Sequence, residues 1–323
     1  MSPFQLTRTL PEDATGAALR ADVLQGLTRT PKVLPPKWFY DARGSELFEE
    51  ITRLPEYYPT RAEREILLTR APRIAAVTGA RALIELGSGS SDKTRHLLDE
   101  LMEVTGLAHY VPVDVSESAL TGAAESLLAE RPGLHVHALI ADFTASLVLP
   151  STPGPRLVAF LGGTIGNLLP PERAEFLASV RALLAPGDSL LLGTDLVKDE
   201  SVLVRAYDDT AGVTAEFNKN VLGVINRELG ADFDPDDFEH VARWDREEEW
   251  IEMRLRARRA LAVKIPELDL VVHFEAGEEV RTEVSAKFRQ DRVRDELAVA
   301  GMELAHWWTD GEGRFALSLA TAV

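Results

Sequence analysis

Residues 82–94 read Ala82-Leu83-Ile84-Glu85-Leu86-Gly87-Ser88-Gly89-Ser90-Ser91-Asp92-Lys93-Thr94, and they decide the fold. The apolar run from Ala82 to Leu86 has the length and content of a buried strand. Leu97, Leu98 and Leu101, just beyond, share one face of a helix. Between them lies a turn with two glycines, residues whose missing Cβ lets the backbone bend sharply and approach a ligand closely. Strand, glycine turn and helix in that order form the nucleotide-binding corner of a doubly wound α/β sheet.

A dinucleotide site asks for a third glycine at the helix start, where a pyrophosphate meets bare N–H groups. Here that place is taken by Asp92, an anion, and Glu85 precedes the turn. Carboxylates without a phosphate cradle suit a cofactor that carries positive charge. S-adenosylmethionine, with its sulfonium and ammonium groups, is such a cofactor. Taken alone, the same residues also fit a tight strand–helix connection that binds nothing.

Outward from this corner, further short apolar runs at 110–113, 136–140, 157–161 and 189–193 alternate with helical segments. Thr60 with Glu63 spells a capping box that opens a helix to about Val77. Phe176, Leu177, Val180, Leu183 and Leu184 recur at helical spacing until Pro186-Gly187 stops them. This alternation predicts a mostly parallel sheet. The alternation fails after Gly193. Residues 236–241 carry charged helical text, while 250–263 and 268–274 resemble strands. A helix at 291–300 and an antiparallel hairpin, 304–309 and 315–321 around Asp310-Gly311-Glu312-Gly313, then close the sheet. At the N-terminal end, Pro31, Pro35, Pro36, Pro55 and Pro59 lie among aromatics, which predicts irregular, loop-rich chain. Trp38, Phe39 and Phe48 are expected to pack, and the proline-bracketed pair Tyr57-Tyr58 to line a site. The expected division is a core of residues 62–196 plus 286–323 and a lid-like α+β domain of residues 8–61 plus 197–285.

The chain has 323 residues and 45% apolar content, enough for a large core in one or two domains. A net charge of −17 argues against nucleic acid or an anionic membrane as partner. Cysteine is absent, so neither disulfides nor thiolate chemistry operate. Glu12 and Asp13 interrupt the first residues, and no apolar run is of membrane-spanning length. The expectation is a cytoplasmic monomer acting on a small molecule.

Ligands of open parallel sheets bind beyond the carboxyl ends of the strands. Those ends read Glu85-Leu86-Gly87, Val113-Asp114-Val115, Ala141-Asp142-Phe143, Leu161-Gly162-Gly163-Thr164-Ile165-Gly166-Asn167 and Gly193-Thr194-Asp195. Asp114 stands where the ribose hydroxyls of an adenosine lie. Asp142 beside Phe143 offers an acceptor for the adenine amine and a ring for its face. Singly, each acid serves equally well as a cap for the next helix. In series, the five ends describe a class I S-adenosylmethionine-dependent methyltransferase, a Rossmann-like α/β fold.

The chain also resembles a narrower group. LPPKWFYDARGSELFEEITRLPEYYPTR (34–61), ELGSGSSDKT (85–94), FLGGTIGN (160–167), LLGTDLVKD (191–199), RAYDDTAGVTAEFN (205–218) and TEVSAKF (282–288) are similar to the histidine-specific Nα-methyltransferases of ergothioneine biosynthesis. The resemblance implies that Tyr57, Gly87, Lys93, Asp114, Asp142 and Phe143 contact S-adenosylmethionine. It implies that L-histidine is held by Tyr57, Asn167, Tyr207, Glu283 and Ser285. Asn167 and Tyr207 would take its carboxylate, Glu283 and Ser285 its imidazole, and Tyr40 and the Gly162 carbonyl would lie near its amine. Gly163, where relatives often carry serine, and Ala286 depart from the pattern and touch only loop detail. The product implied is the trimethylated betaine, hercynine.

Elementary chemistry is compatible with this. Glu283 and Ser285, two apart, share one face of a strand, and a carboxylate with a hydroxyl matches the two nitrogens of an imidazole. Without the resemblance, a solvated strand face that includes Lys287 fits as well, and Tyr207-Asp208-Asp209 fits a helix surface. The seven histidines form no evident metal site. Two other readings remain: an N-methyltransferase for another amino acid such as tryptophan, and a non-catalytic module that binds S-adenosylmethionine.

Overall fold

The computed structural model describes residues 3–10, 14–89, 91, 93–144 and 147–323. The chain opens with β1 (Phe4–Arg8), α1 (Ala14–Thr28), β2 (Lys32–Val33), α2 (Ala42–Arg53) and α3 (Pro59–Thr78). Then follow β3 (Ala82–Leu86), α4 (Arg95–Thr105), β4 (His109–Asp114), α5 (Glu117–Glu130), β5 (His135–Ile140), β6 (Arg156–Phe160), α6 (Pro170–Leu183) and β7 (Ser189–Asp195). Next come α7 (Glu200–Tyr207), α8 (Val213–Leu229), β8 (Phe238–Asp245), β9 (Trp250–Ala257), β10 (Leu261–Ile265), β11 (Leu270–Phe274) and β12 (Glu279–Ala286). The last elements are α9 (Gln290–Val299), β13 (Met302–Thr309) and β14 (Phe315–Ala322).

Two compact units divide these elements. The first comprises residues 1–11, 59–196 and 288–323, and the second residues 12–58 and 197–287. The first is built on an eight-stranded sheet in the order β1-β5-β4-β3-β6-β7-β14-β13. Its strands are parallel through β7, and β14 and β13 are antiparallel. Strand β3 is central and buried along its whole length, as a parallel strand covered on both faces must be. Leu97, Leu98 and Leu101 of α4 are fully buried, each contributing about 1.5–3 kcal/mol by its removal from water. Where the chain leaves this unit and returns to it, Leu196 and Phe288 form a parallel bridge, and the Phe288 N–H donates to the Asp195 carbonyl at 2.8 Å.

The second unit has a four-stranded sheet, β2-β12-β9-β8, and the separate hairpin β10-β11. Helices α1, α2, α7 and α8 supply Leu19, Val23, Leu47, Ile51, Leu203, Phe217 and Val221 to its core. It is an α+β arrangement.

Several expectations need correction. The proline-rich N-terminal section is not irregular. Its prolines fall between or at the ends of α1, a short 3-10 turn at Pro36–Phe39, and α2, whose N-cap Asp41 accepts from the Gly44 N–H. Strand β1 escaped notice because FQLTR has little apolar content, yet it pairs in parallel with β5 at the sheet edge. Residues 238–245 are a strand, not a charged helix, and α7 and α8 fill what reads as mixed text. The helix α3 starts at Pro59, so Thr60 lies within its first turn. Glu63 makes no capping box; its side chain is fully buried and turned to other partners.

Candidate active site

The first unit gathers the glycine corner. Gly87 has φ of +66° and Gly89 φ of +50°, conformations that side chains with a Cβ rarely adopt. A Cβ on Gly87 would also press on the Phe143 ring at 3.3 Å. The Gly89 N–H donates to Asp114 at 2.9 Å, and the Ser116 N–H donates to the other oxygen of the same carboxylate at 2.9 Å. Asp142 accepts from the Thr144 N–H at 2.8 Å and from its hydroxyl at 2.6 Å. Both acids therefore shape their own turns. Acceptor capacity remains on both oxygens of Asp114 and on Oδ2 of Asp142, whose Oδ1 takes both Thr144 bonds, since an ionised carboxylate takes about four hydrogen bonds. Phe143 packs at 5.2 Å on Phe160. Asp92 lies outside the described residues.

Below the corner, Glu85 is buried and accepts from the hydroxyls of Thr94 and Tyr110. Burial pushes its carboxyl up to about 7, against the pull of those two donors. A carboxyl that binds its proton more tightly when folded adds stability below its ordinary 4.5, and that contribution disappears as pH rises toward 7. The span corresponds to about 3 kcal/mol. Glu85→Gln is therefore expected to stabilise the protein relative to wild type at pH 8 but hardly at pH 4.5. Urea midpoints at the two pH values check this, and equal midpoint differences would refute it.

Glu63 reaches into the same unit from α3. It accepts from the Gly162 N–H at 2.7 Å and lies 3.2 Å from the Lys93 ammonium. Gly162 has φ of +79°, and a Cβ there would come within 3.0 Å of the Lys93 nitrogen. Glu63 thus ties the glycine turn after β6 to Lys93. Asn167 ends the 3-10 turn Thr164–Asn167 that follows.

The second unit gathers a chain of aromatic rings. Tyr40 stands edge-on to Phe48 at 5.6 Å and to Phe217 at 5.4 Å. Phe48 meets Tyr57 at 6.2 Å, and Tyr57 meets Tyr207 at 6.4 Å. Tyr40 as a whole is 48% exposed, but its hydroxyl is raised above the ordinary tyrosine range, first by the loss of water around it and then by the neighbouring Glu283 and Tyr207. Tyr58 is buried, with its hydroxyl accepting from Lys198 at 2.7 Å. Tyr207 is no helix-surface residue. It is the last residue of α7 and is buried, and Asp209 caps α8 by accepting from the Val213 and Thr214 N–H groups.

Strand β12 carries Glu283 and Ser285 beyond a register shift at 281–283. The Tyr207 hydroxyl is 2.7 Å from the Ser285 hydroxyl. The strand face is not solvated, for Lys287 is fully buried and donates to Tyr207 at 2.9 Å and to Ser285 at 2.8 Å. Behind these groups, the Thr282 hydroxyl donates to Asn218 at 2.6 Å, and the Asn218 amide is 2.8 Å from Nδ1 of His240. The Tyr207 carbonyl, 2.8 Å from Nε2 of His240, can only accept. Nε2 therefore carries the proton and Nδ1 accepts from Asn218, a neutral ring in keeping with the downward shift that burial imposes.

Of the residues singled out from sequence, Gly87, Lys93, Asp114, Asp142, Phe143, Gly162 and Asn167 stand in the first unit. Tyr40, Tyr57, Tyr207, Glu283 and Ser285 stand in the second. Glu63, Lys287, Asn218 and His240 were missed. Their signal was a polar residue at an inward position, which sequence alone does not separate from surface. Among the described residues, no set of three or more His, Asp or Glu side chains is placed to hold a metal ion, and no helix is long and apolar enough to cross a membrane.

A family model described as histidine-specific, SAM-dependent methyltransferase matches residues 19–322. A histidine N-alpha-methyltransferase of Mycolicibacterium smegmatis is 58% identical over 317 residues, 98% of this chain and 99% of that protein. The protein of the same name in Mycobacterium tuberculosis is 57% identical, covering 96% of this chain and 97% of its own. Ergothioneine biosynthesis protein 1 of Neurospora crassa is 30% identical over 87% of this chain and 32% of its own length. The strand order, the glycine corner and these matches agree: the chain belongs to the family of histidine-specific, S-adenosylmethionine-dependent methyltransferases.

Proposed function

We propose that the chain transfers methyl groups from S-adenosylmethionine to the α-amine of L-histidine, up to hercynine, within ergothioneine biosynthesis. The observation that carries this is 58% identity along nearly the whole chain to a relative named for that activity. The first unit would hold the donor and the second most of the acceptor. The glycine corner fits such a donor. Gly87 and Gly89 leave room for close backbone approach, and Asp114 and Asp142 are free of cationic side-chain partners among the described ion pairs. Lys93 would meet the carboxylate of the methionyl end, Asp114 the ribose, and Asp142 with Phe143 the adenine, with Tyr57 touching both guests.

S-adenosylmethionine supplies an electrophilic methyl on a cationic sulfur. The chain need supply no nucleophile, because the histidine amine is one once it is unprotonated, a form that burial and the donor's positive sulfur favour; each methyl gained displaces one proton to solvent and leaves the donor as a neutral thioether. What it supplies is orientation, bringing nitrogen and carbon to about 3–3.5 Å in line. Asn167 and Tyr207 would hold the carboxylate, and Glu283 and Ser285 the ring. A guest pinned at both ends leaves its nitrogen free to rotate and take successive methyls. The raised Tyr40 hydroxyl keeps its proton at neutral pH, so it would orient the amine, with the Gly162 carbonyl, instead of deprotonating it.

Incubation with S-adenosylmethionine and histidine should give products heavier by one, two and three methyls in a mass spectrum. Turnover of tryptophan with none of histidine would overturn the assignment. Binding of the donor with no methylated product would point to a non-catalytic module.

A further inference from the structure

We propose that Lys287 is a positioning and specificity residue: it turns the Tyr207 and Ser285 hydroxyls into donors toward the substrate, so that the site selects a neutral imidazole. This rests on the reading that histidine is the substrate. An ammonium has three donors and no acceptor. Lys287, fully buried, donates to both hydroxyl oxygens, at 2.9 and 2.8 Å, and those oxygens are 2.7 Å from each other. As placed, one hydroxyl gives its proton to the other; Lys287 fills an acceptor position on each oxygen, so a guest that offers an acceptor to both draws both protons to itself.

Such donors match the carboxylate assigned to Tyr207 and an unprotonated ring nitrogen at Ser285. Glu283, on the same strand face, is the acceptor for the other ring nitrogen's N–H. A neutral imidazole satisfies both partners at once. An imidazolium brings a second N–H against a hydroxyl that is also donating, and places a cation beside Lys287. An indole has one N–H and no ring acceptor, and leaves Ser285 unanswered, a penalty that discriminates strongly in buried sites. The other titratable groups facing this cluster are Glu283 on its own strand, Tyr207 on α7 and Tyr40 before α2. His240 lies behind the Tyr207 carbonyl and bonds as a neutral ring.

The test is kcat/KM for histidine between pH 5 and 8, with tryptophan as competitor. In wild type it should rise with pH throughout, as the α-ammonium gives up its proton, and below about pH 6.5, where free imidazole is also protonated, it should fall about tenfold more per unit, an added acid limb. 2-Fluorohistidine, whose ring is much less basic, should move that acid limb down with its own ring pKa. In Lys287→Met, of similar length but without the donor, the limb should flatten. The preference for histidine over tryptophan should narrow at least tenfold, through KM more than kcat. Unchanged affinity for S-adenosylmethionine confirms that the variant is folded. A variant that binds the donor but keeps the wild-type pH profile and preference overturns the proposal. So does a wild-type acid limb that ignores the ring pKa of the guest, which decides the matter even if the variant does not fold. Absence of histidine turnover in wild type would instead sink the underlying reading.

Discussion

Glu283→Ala is expected to lower kcat/KM for histidine about a hundredfold while leaving the affinity for S-adenosylmethionine within about twofold. The size follows from removing a charged acceptor: a hydrogen bond to an ionised group contributes about 1.5–3 kcal/mol net, and a factor of ten is about 1.4 kcal/mol. The selectivity follows from placement. Glu283 lies on β12 in the second unit, beside Ser285 and within electrostatic reach of Tyr40, whereas the glycine corner belongs to the first. Steady-state kinetics with histidine and calorimetry with the donor measure the two quantities. Tryptophan turnover should be unharmed, since an indole has no ring acceptor for Ser285 and so is not seated on the Glu283–Ser285 pair. A loss of donor affinity equal to the loss of histidine affinity would show that the substitution acts on the fold.

The second large effect is expected at Glu63. Its replacement by alanine strands the half-buried Gly162 N–H and leaves Lys93 without its carboxylate. An unsatisfied buried donor costs about 1–3 kcal/mol, and removing one member of a buried ion pair costs more. Lys93 is 29% exposed and water recovers part of that, so about 3 kcal/mol in total is the expected loss of stability. The turn after β6 and the Lys93 side chain should loosen together, weakening donor binding at least tenfold. Glu63→Gln keeps an acceptor for Gly162 and should recover most of the stability but not the donor affinity. Urea unfolding and calorimetry on the pair of variants separate the two contributions. Wild-type donor affinity in Glu63→Gln, which keeps the Gly162 bond but loses the charge facing Lys93, would remove Lys93 from the account.

These two residues mark how far the sequence carries. The alternation of short apolar runs with helices specified the parallel sheet, because a strand buried on both faces is apolar throughout, as β3 and β7 are. Glu283 and Ser285 were singled out by the resemblance; the period of two of a strand accounts only for their sharing one face, beyond the shift at 281–283. Glu63 was not. Flanked by Ala62, Ile66 and Leu67, it sits on the inward face of α3, but Thr60 three residues before it offered a local partner that explained it equally well. Lys287 was hidden for a different reason. Between Ala286 and Phe288 it continues a polar alternation that also describes an exposed edge, and only the arrival of Tyr207 from α7 closes over it. Strand β1 carries only Phe4 and Leu6 as apolar residues and is made a strand by its pairing with β5, a tertiary cause that no local pattern announces.

The parallel bridge between Leu196 and Phe288 carries an evolutionary consequence. A long insertion whose entry and exit are stitched side by side acts as a cassette. Drift, lengthening or recombination within residues 197–287 is absorbed before it can alter the strand register of the first unit. Lineages sharing this topology can thus rewrite the cassette while inheriting the eight-stranded sheet unchanged.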